Sequence, residues 1–267
     1  THFPKSPQWQ LLPFVKVQPL TPPPSPNDNT TLLAKHNLRP YVTKAAFHDF
    51  AHFHLSFFKY NIEMQSHKEG LIIHEDVNKE LLVTLSVPRT DVVFLSNVHG
   101  HKRLTLCQRN PDTALIDIRC RFPQPGEYEL EIYASKKPDY SVEVPEKPYD
   151  VILEYRVIVE GSAVDGVFEE FPSIYGDLAS REHFLHYPLE YYFLEGEKVH
   201  FKVSAGTATE MAARHQGKRI QFHKRGDCFE GEVLIGEGVV LIMGLYYEKG
   251  FEHKGQKFRK VLKYNKP

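Results

Sequence analysis

A chain of 267 residues, 41% hydrophobic and 25% charged, has the makeup of a folded protein of one large or two small domains. Its 33 Lys and Arg against 34 Asp and Glu leave a net charge of −1, so no overall field draws it to nucleic acid or to an anionic membrane. No apolar run approaches the roughly 18 residues of a membrane helix. Cys107, Cys120 and Cys228 are too widely spaced for a disulfide framework or a CxxC zinc pair, and a reducing, cytoplasmic compartment is expected.

The first 35 residues differ from the rest. Trp9, the only tryptophan, is boxed in by Pro4, Pro7 and Pro13. No basic start followed by an apolar run, as in a signal peptide, precedes it. From Pro19 to Asn29 five prolines crowd eleven positions, which predicts an extended linker. Asn29-Thr30-Thr31 is a sequon, expected to be incidental without a secretory signal.

Folding signals begin near Arg39, and most have a period of two. Phe47, Ala51, Phe53, Leu55 and Phe57 share one parity, with His48, His52, His54 and Ser56 on the other, which predicts a half-buried strand. Leu81, Val83, Leu85 and Val87 share a face, as do Ile116, Ile118, Cys120 and Phe122. Tyr128, Leu130 and Ile132 follow a Pro125-Gly126 turn, with Glu127, Glu129 and Glu131 outward and Arg119 and Arg121 expected opposite them. Short strands separated by turn residues predict a β-sandwich that ends near Gly161.

The pattern then recurs. Val199, Phe201 and Val203 echo the strand at Leu81, and Gly238, Val240 and Ile242 echo Gly126, Tyr128 and Leu130. The expected fold is all-β: two tandem Ig-like sandwiches, residues 36–161 and 162–267, after a proline-rich lead-in over residues 1–35. The stretch from Phe171 to Pro188 is ambiguous between loop and short helix.

Several residues carry a resemblance. His2-Phe3-Pro4 followed by Trp9-Gln10-Leu11-Leu12, the segment Phe57 to Asn61, the strand at Leu81 and the strand at Gly126 resemble the region after the catalytic core in transglutaminase-like proteins of the kyphoscoliosis peptidase and hillarin type. The resemblance covers residues 1–160 well and the last hundred residues loosely. It implies that the opening segment is the edge of an upstream transglutaminase-like domain, and that Ig-like domains follow. It also implies a Cys-His-Asp triad upstream of Trp9, so no catalytic residue is carried over and no cofactor is expected. This region is then a non-enzymatic scaffold, with protein partners, cytoskeletal ones among them, and the upstream domain of the same chain. Alternatively it shapes the substrate cleft of that domain.

Other features bear on function. Cys120 falls on an apolar parity and is expected to be buried, while Cys107 and Cys228 lie near turns, which leaves them open to exposure and oxidation. Of 15 histidines, His48, His52 and His54 form the tightest cluster; two on one strand face could share a metal, but a third ligand is remote, and a solvated face is the simpler expectation. His99-Gly100-His101 reads as a hairpin tip. Arg225-Gly226-Asp227 is the adhesion tripeptide and falls where a turn is expected, so an extracellular adhesive or metal-binding module is a further alternative.

Overall fold

The computed structural model of the chain describes residues 52–137, 149–162, 168–175, 178, 183–246 and 258–265. Within them the protein is two β-sandwiches, each with its own core.

In the first sandwich, one sheet runs in the order β2 (Glu63–Met64), β4 (Leu81–Ser86), β7 (Ile116–Cys120), β6 (Thr105–Arg109). The other is built on β9 (Asp150–Val159), β8 (Gly126–Lys136) and β5 (Val92–Val98), with β1 (His52–Phe53) and β3 (Leu71–His74) both on the outer side of β9. β1 pairs antiparallel and β3 parallel with β9, whereas β2, between them in sequence, pairs with β4, so the leading segment visits both sheets. This is the ABED and CFG arrangement of an Ig-like domain. Alternation explains the packing: Leu81, Val83 and Leu85 are buried while Leu82, Thr84 and Ser86 are not. Tyr128, Leu130 and Ile132 close the core from the facing sheet. The Tyr128 hydroxyl donates to the Gln124 carbonyl at 2.8 Å, the tyrosine corner that pins the turn into the sixth Ig strand.

The second sandwich repeats the plan. One sheet runs β11 (Phe184–Tyr187), β12 (Lys198–Ser204), β16 (Cys228–Leu234), β15 (His223–Arg225). The other runs β10 (Ser173–Ile174), β18 (Arg259–Tyr264), β17 (Val240–Tyr246), β13 (Ala208–His215), β14 (Lys218–Gln221). β4 and β12 hold the same place in the two sandwiches, as do β8 and β17, so the echo of Gly126-Tyr128-Leu130 in Gly238-Val240-Ile242 is one of position in the fold. The ambiguous stretch before Pro188 contributes β11.

Two expectations fail for identifiable reasons. The strand predicted through Phe57 lasts only from His52 to Phe53, and α1 (Leu55–Lys59) follows. Phe53 and Phe57 are four apart, a spacing that suits either a strand or a helix. Their ring centroids lie 4.8 Å apart in the core. Leu55, which a strand would bury beside them, is 67% exposed. Second, Arg119 and Arg121 do not face Glu127, Glu129 and Glu131. β7 and β8 are consecutive but belong to opposite sheets, because the chain crosses the sandwich between them. Both arginines instead hold Glu80, at 2.6 and 3.2 Å.

Candidate functional site

The sandwiches meet edge to edge. β6 is the last strand of its sheet and β11 the first of its own. Between them Gln108, 4% exposed, points its carboxamide at the backbone of Leu185. The Leu185 N–H donates to Gln108 Oε1 at 3.0 Å, and Gln108 Nε2 donates to the Leu185 carbonyl at 3.1 Å. A side-chain amide carries one donor edge and one acceptor edge, as a peptide unit does, so Gln108 links the two sheets as a strand residue would.

Two arginines flank this link. Arg121 lies 4.3 Å over the Phe171 ring and donates to the carbonyls of Glu169 and Leu189, at 3.3 and 3.4 Å, while its Nε holds Glu80. Arg103 pairs with Glu170 at 3.1 Å and covers Tyr191 at 4.6 Å. Its own carbonyl accepts the Phe171 N–H at 2.9 Å. The planar guanidinium suits this combination of stacking and multiple donation. A small cavity at the junction is lined by Phe94, Cys107, Leu178 and His183, among others. His183 Nε2 meets the Tyr246 hydroxyl at 2.6 Å, and their rings stack.

Beside the junction a chain of polar atoms spans three strands. His186 Nε2 lies 2.7 Å from Ser204 Oγ, which lies 3.2 Å from Cys228 Sγ. Burial, then the Lys202 ammonium, lowers the His186 pKa, while Asp112 of the first sandwich opposes this. Sequence reasoning missed the trio because its members lie 18 and 24 residues apart and meet through strand pairing. Ser204 Oγ stands between imidazole and thiol and bonds both.

The residues singled out from the sequence are dispersed. Trp9 and His48 lie outside the described residues. His52 is in β1, and His54 directly precedes α1 and bonds Glu154 at 2.7 Å. Among the described residues no three His, Cys, Asp or Glu side chains are grouped to hold a metal. Cys120 is fully buried, and Cys107 is buried too, because β6 turns it inward despite the turn that follows. Burial pushes both thiol pKa values far up, whereas Cys228 is half-buried; all three are free thiols. His99 and Gly100, both at positive φ, form the tight turn between Val98 and His101. Gly226 and Asp227 are the tip of the β15–β16 hairpin, where a glycine at φ +60° takes the first central position. Arg225 is exposed there and lies 3.7 Å from Glu230.

Residues 44–168 match the family model for the KY-like, immunoglobulin-like domain, so this part of the chain is a KY-type Ig-like region. No curated protein sequence matches the chain. Solved structures with which it aligns include a glucan-utilisation protein, SGBP-B, of Bacteroides ovatus in complex with a mixed-linkage heptasaccharide, at 13% identity over 77% of this chain and 47% of that one, with a TM-score of 0.26. The fibronectin(III)-like modules of Clostridium thermocellum CbhA align at 14% identity over 77% of this chain and 94% of that one, TM-score 0.23. Tandem Ig repeats of Dlar align at 8% identity over 77% and 97%, TM-score 0.24. Nothing about function follows from likenesses at these scores.

Proposed function

We propose that this chain is a non-catalytic scaffold and protein-interaction region of a transglutaminase-like protein of the kyphoscoliosis-peptidase type, working in the cytoplasm. The observation that carries the reading is the junction itself. Gln108, Arg103 and Arg121 tie a KY-type Ig-like region to a second sandwich, and such a joined pair displays loops and strand edges at fixed spacing. Edge pairing and loop contact are the recognition modes such a surface offers. Three free cysteines suit a reducing compartment.

Affinity capture from a cytoskeletal extract, with the intact chain as bait and its heat-unfolded form as control, tests the proposal. Reproducible enrichment of the same cytoskeletal proteins by the folded bait is expected. Enrichment no greater than with the unfolded bait contradicts it.

A further inference from the structure

The two sandwiches carry opposite charge on equivalent outer faces. In the first, the outer face of β8 and β9 presents Glu127, Glu129, Glu131 and Glu154. Glu131 stands opposite Glu154, and Glu129 opposite Arg156. Arg156 bonds Glu127, the Tyr133 hydroxyl donates to Glu131, and His54 meets Glu154. Four carboxylates thus surround one guanidinium, and Glu129 is exposed.

In the second, the corresponding sheet presents a row in which Arg219 stands opposite Arg214, Arg214 opposite Leu241, and Leu241 opposite Lys263. Lys260 stands opposite Met243 in the next row. Leu241 and Met243 are only half-buried, whereas Val240 and Ile242 point into the core. Arg219 also covers the Phe258 ring at 4.9 Å. Four cations therefore frame an apolar strip; Glu210, bonded by Gln221, is on the same strand as Arg214. With a net charge of −1 for the whole chain, this is segregation of charge rather than excess.

We propose that the acidic outer face of the first sandwich docks on the basic, apolar-centred outer face of the second sandwich in another copy of this chain. Like faces repel, so charge selects the unlike pairing. Each face is about four strands by six residues, roughly 400 Å², about half of what one partner contributes to a standard interface. One such contact is weak; an antiparallel pair of copies that makes it twice reaches the standard size. The charges are at the surface and screened beyond about 8 Å at physiological salt, so association is salt-labile. The inference rests on the interaction-region reading and narrows it to self-recognition. Its failure would leave that reading to be decided by capture of other proteins.

Sedimentation equilibrium of the intact chain, across a concentration series at low and high salt, tests it. The average mass rises above 30.9 kDa toward the dimer at low salt and returns to the monomer at high salt. Two double variants, Glu129→Lys with Glu131→Lys and Arg214→Glu with Lys263→Glu, each self-associate about tenfold more weakly or worse. Their equimolar mixture pairs again, because each then meets a face of opposite sign. Circular dichroism of both matches the parent, since the substituted side chains are outside the core. A constant monomer mass at low salt overturns the proposal. So does association that survives in each variant alone, which would assign it to another surface. Retention on heparin by a chain that stays monomeric also overturns it, giving the basic face to an anionic polymer.

Discussion

Gln108 shows how much can rest on one side chain. Its carboxamide meets both backbone groups of Leu185 in a buried position. Gln108→Ala leaves an N–H and a carbonyl in the junction without their side-chain partner, a loss of about 1–3 kcal/mol. Urea denaturation should show the midpoint falling accordingly; an unchanged midpoint would mean that water replaces the amide at no cost. The cysteines differ for an equally local reason. Cys107 and Cys120 are buried, with thiol pKa values raised first by desolvation, while Cys228 is part-exposed beside Ser204. A bulky maleimide on the native protein should label Cys228 and spare the other two until the chain unfolds, as read by peptide mass mapping. Native labelling of Cys107 at a similar rate would contradict the packing of β6. The burial of Cys120 was legible from its parity, whereas that of Cys107 was not, because a turn three residues later gave the opposite hint.

At the scale of elements, alternation was legible wherever a strand has one face in the core and one in water, as in β4, β8 and β12. It failed around Phe53, where aromatic residues four apart satisfy both periods. The pairing of strands was less legible than the strands themselves. Proximity in sequence suggested that β7 faces β8, but an Ig-like chain changes sheets there, and Arg119 and Arg121 went to Glu80. Within β17, Gly244 makes room for a neighbour. A Cβ there would press on the phenol of Tyr246, whose hydroxyl bonds His183. Gly244→Ala should therefore destabilise the second sandwich by about 1–3 kcal/mol through overpacking. Thermal melting checks this, and an unchanged melting temperature would show that the ring moves aside freely.

For the whole molecule, the tandem organisation was written in the recurrence of Gly126-Tyr128-Leu130, but the relation between the two copies was not. Gln108 and Leu185 are 77 residues apart, and nothing local marks either as a junction residue. Charge segregation was equally hidden, since a net charge near zero says nothing about which sheet faces carry which sign. Gln108, Arg103 and Arg121 join the two sandwiches. Differential scanning calorimetry of the intact chain, beside Arg121→Ala, tests it most directly. Arg121 stacks on Phe171 and reaches the carbonyls of Glu169 and Leu189, so its truncation removes contacts between the sandwiches; it also releases Glu80. Joined sandwiches unfold in a single cooperative transition in the parent, with calorimetric and van't Hoff enthalpies equal, and in two resolved transitions in the variant. Two independent transitions in the parent would contradict it.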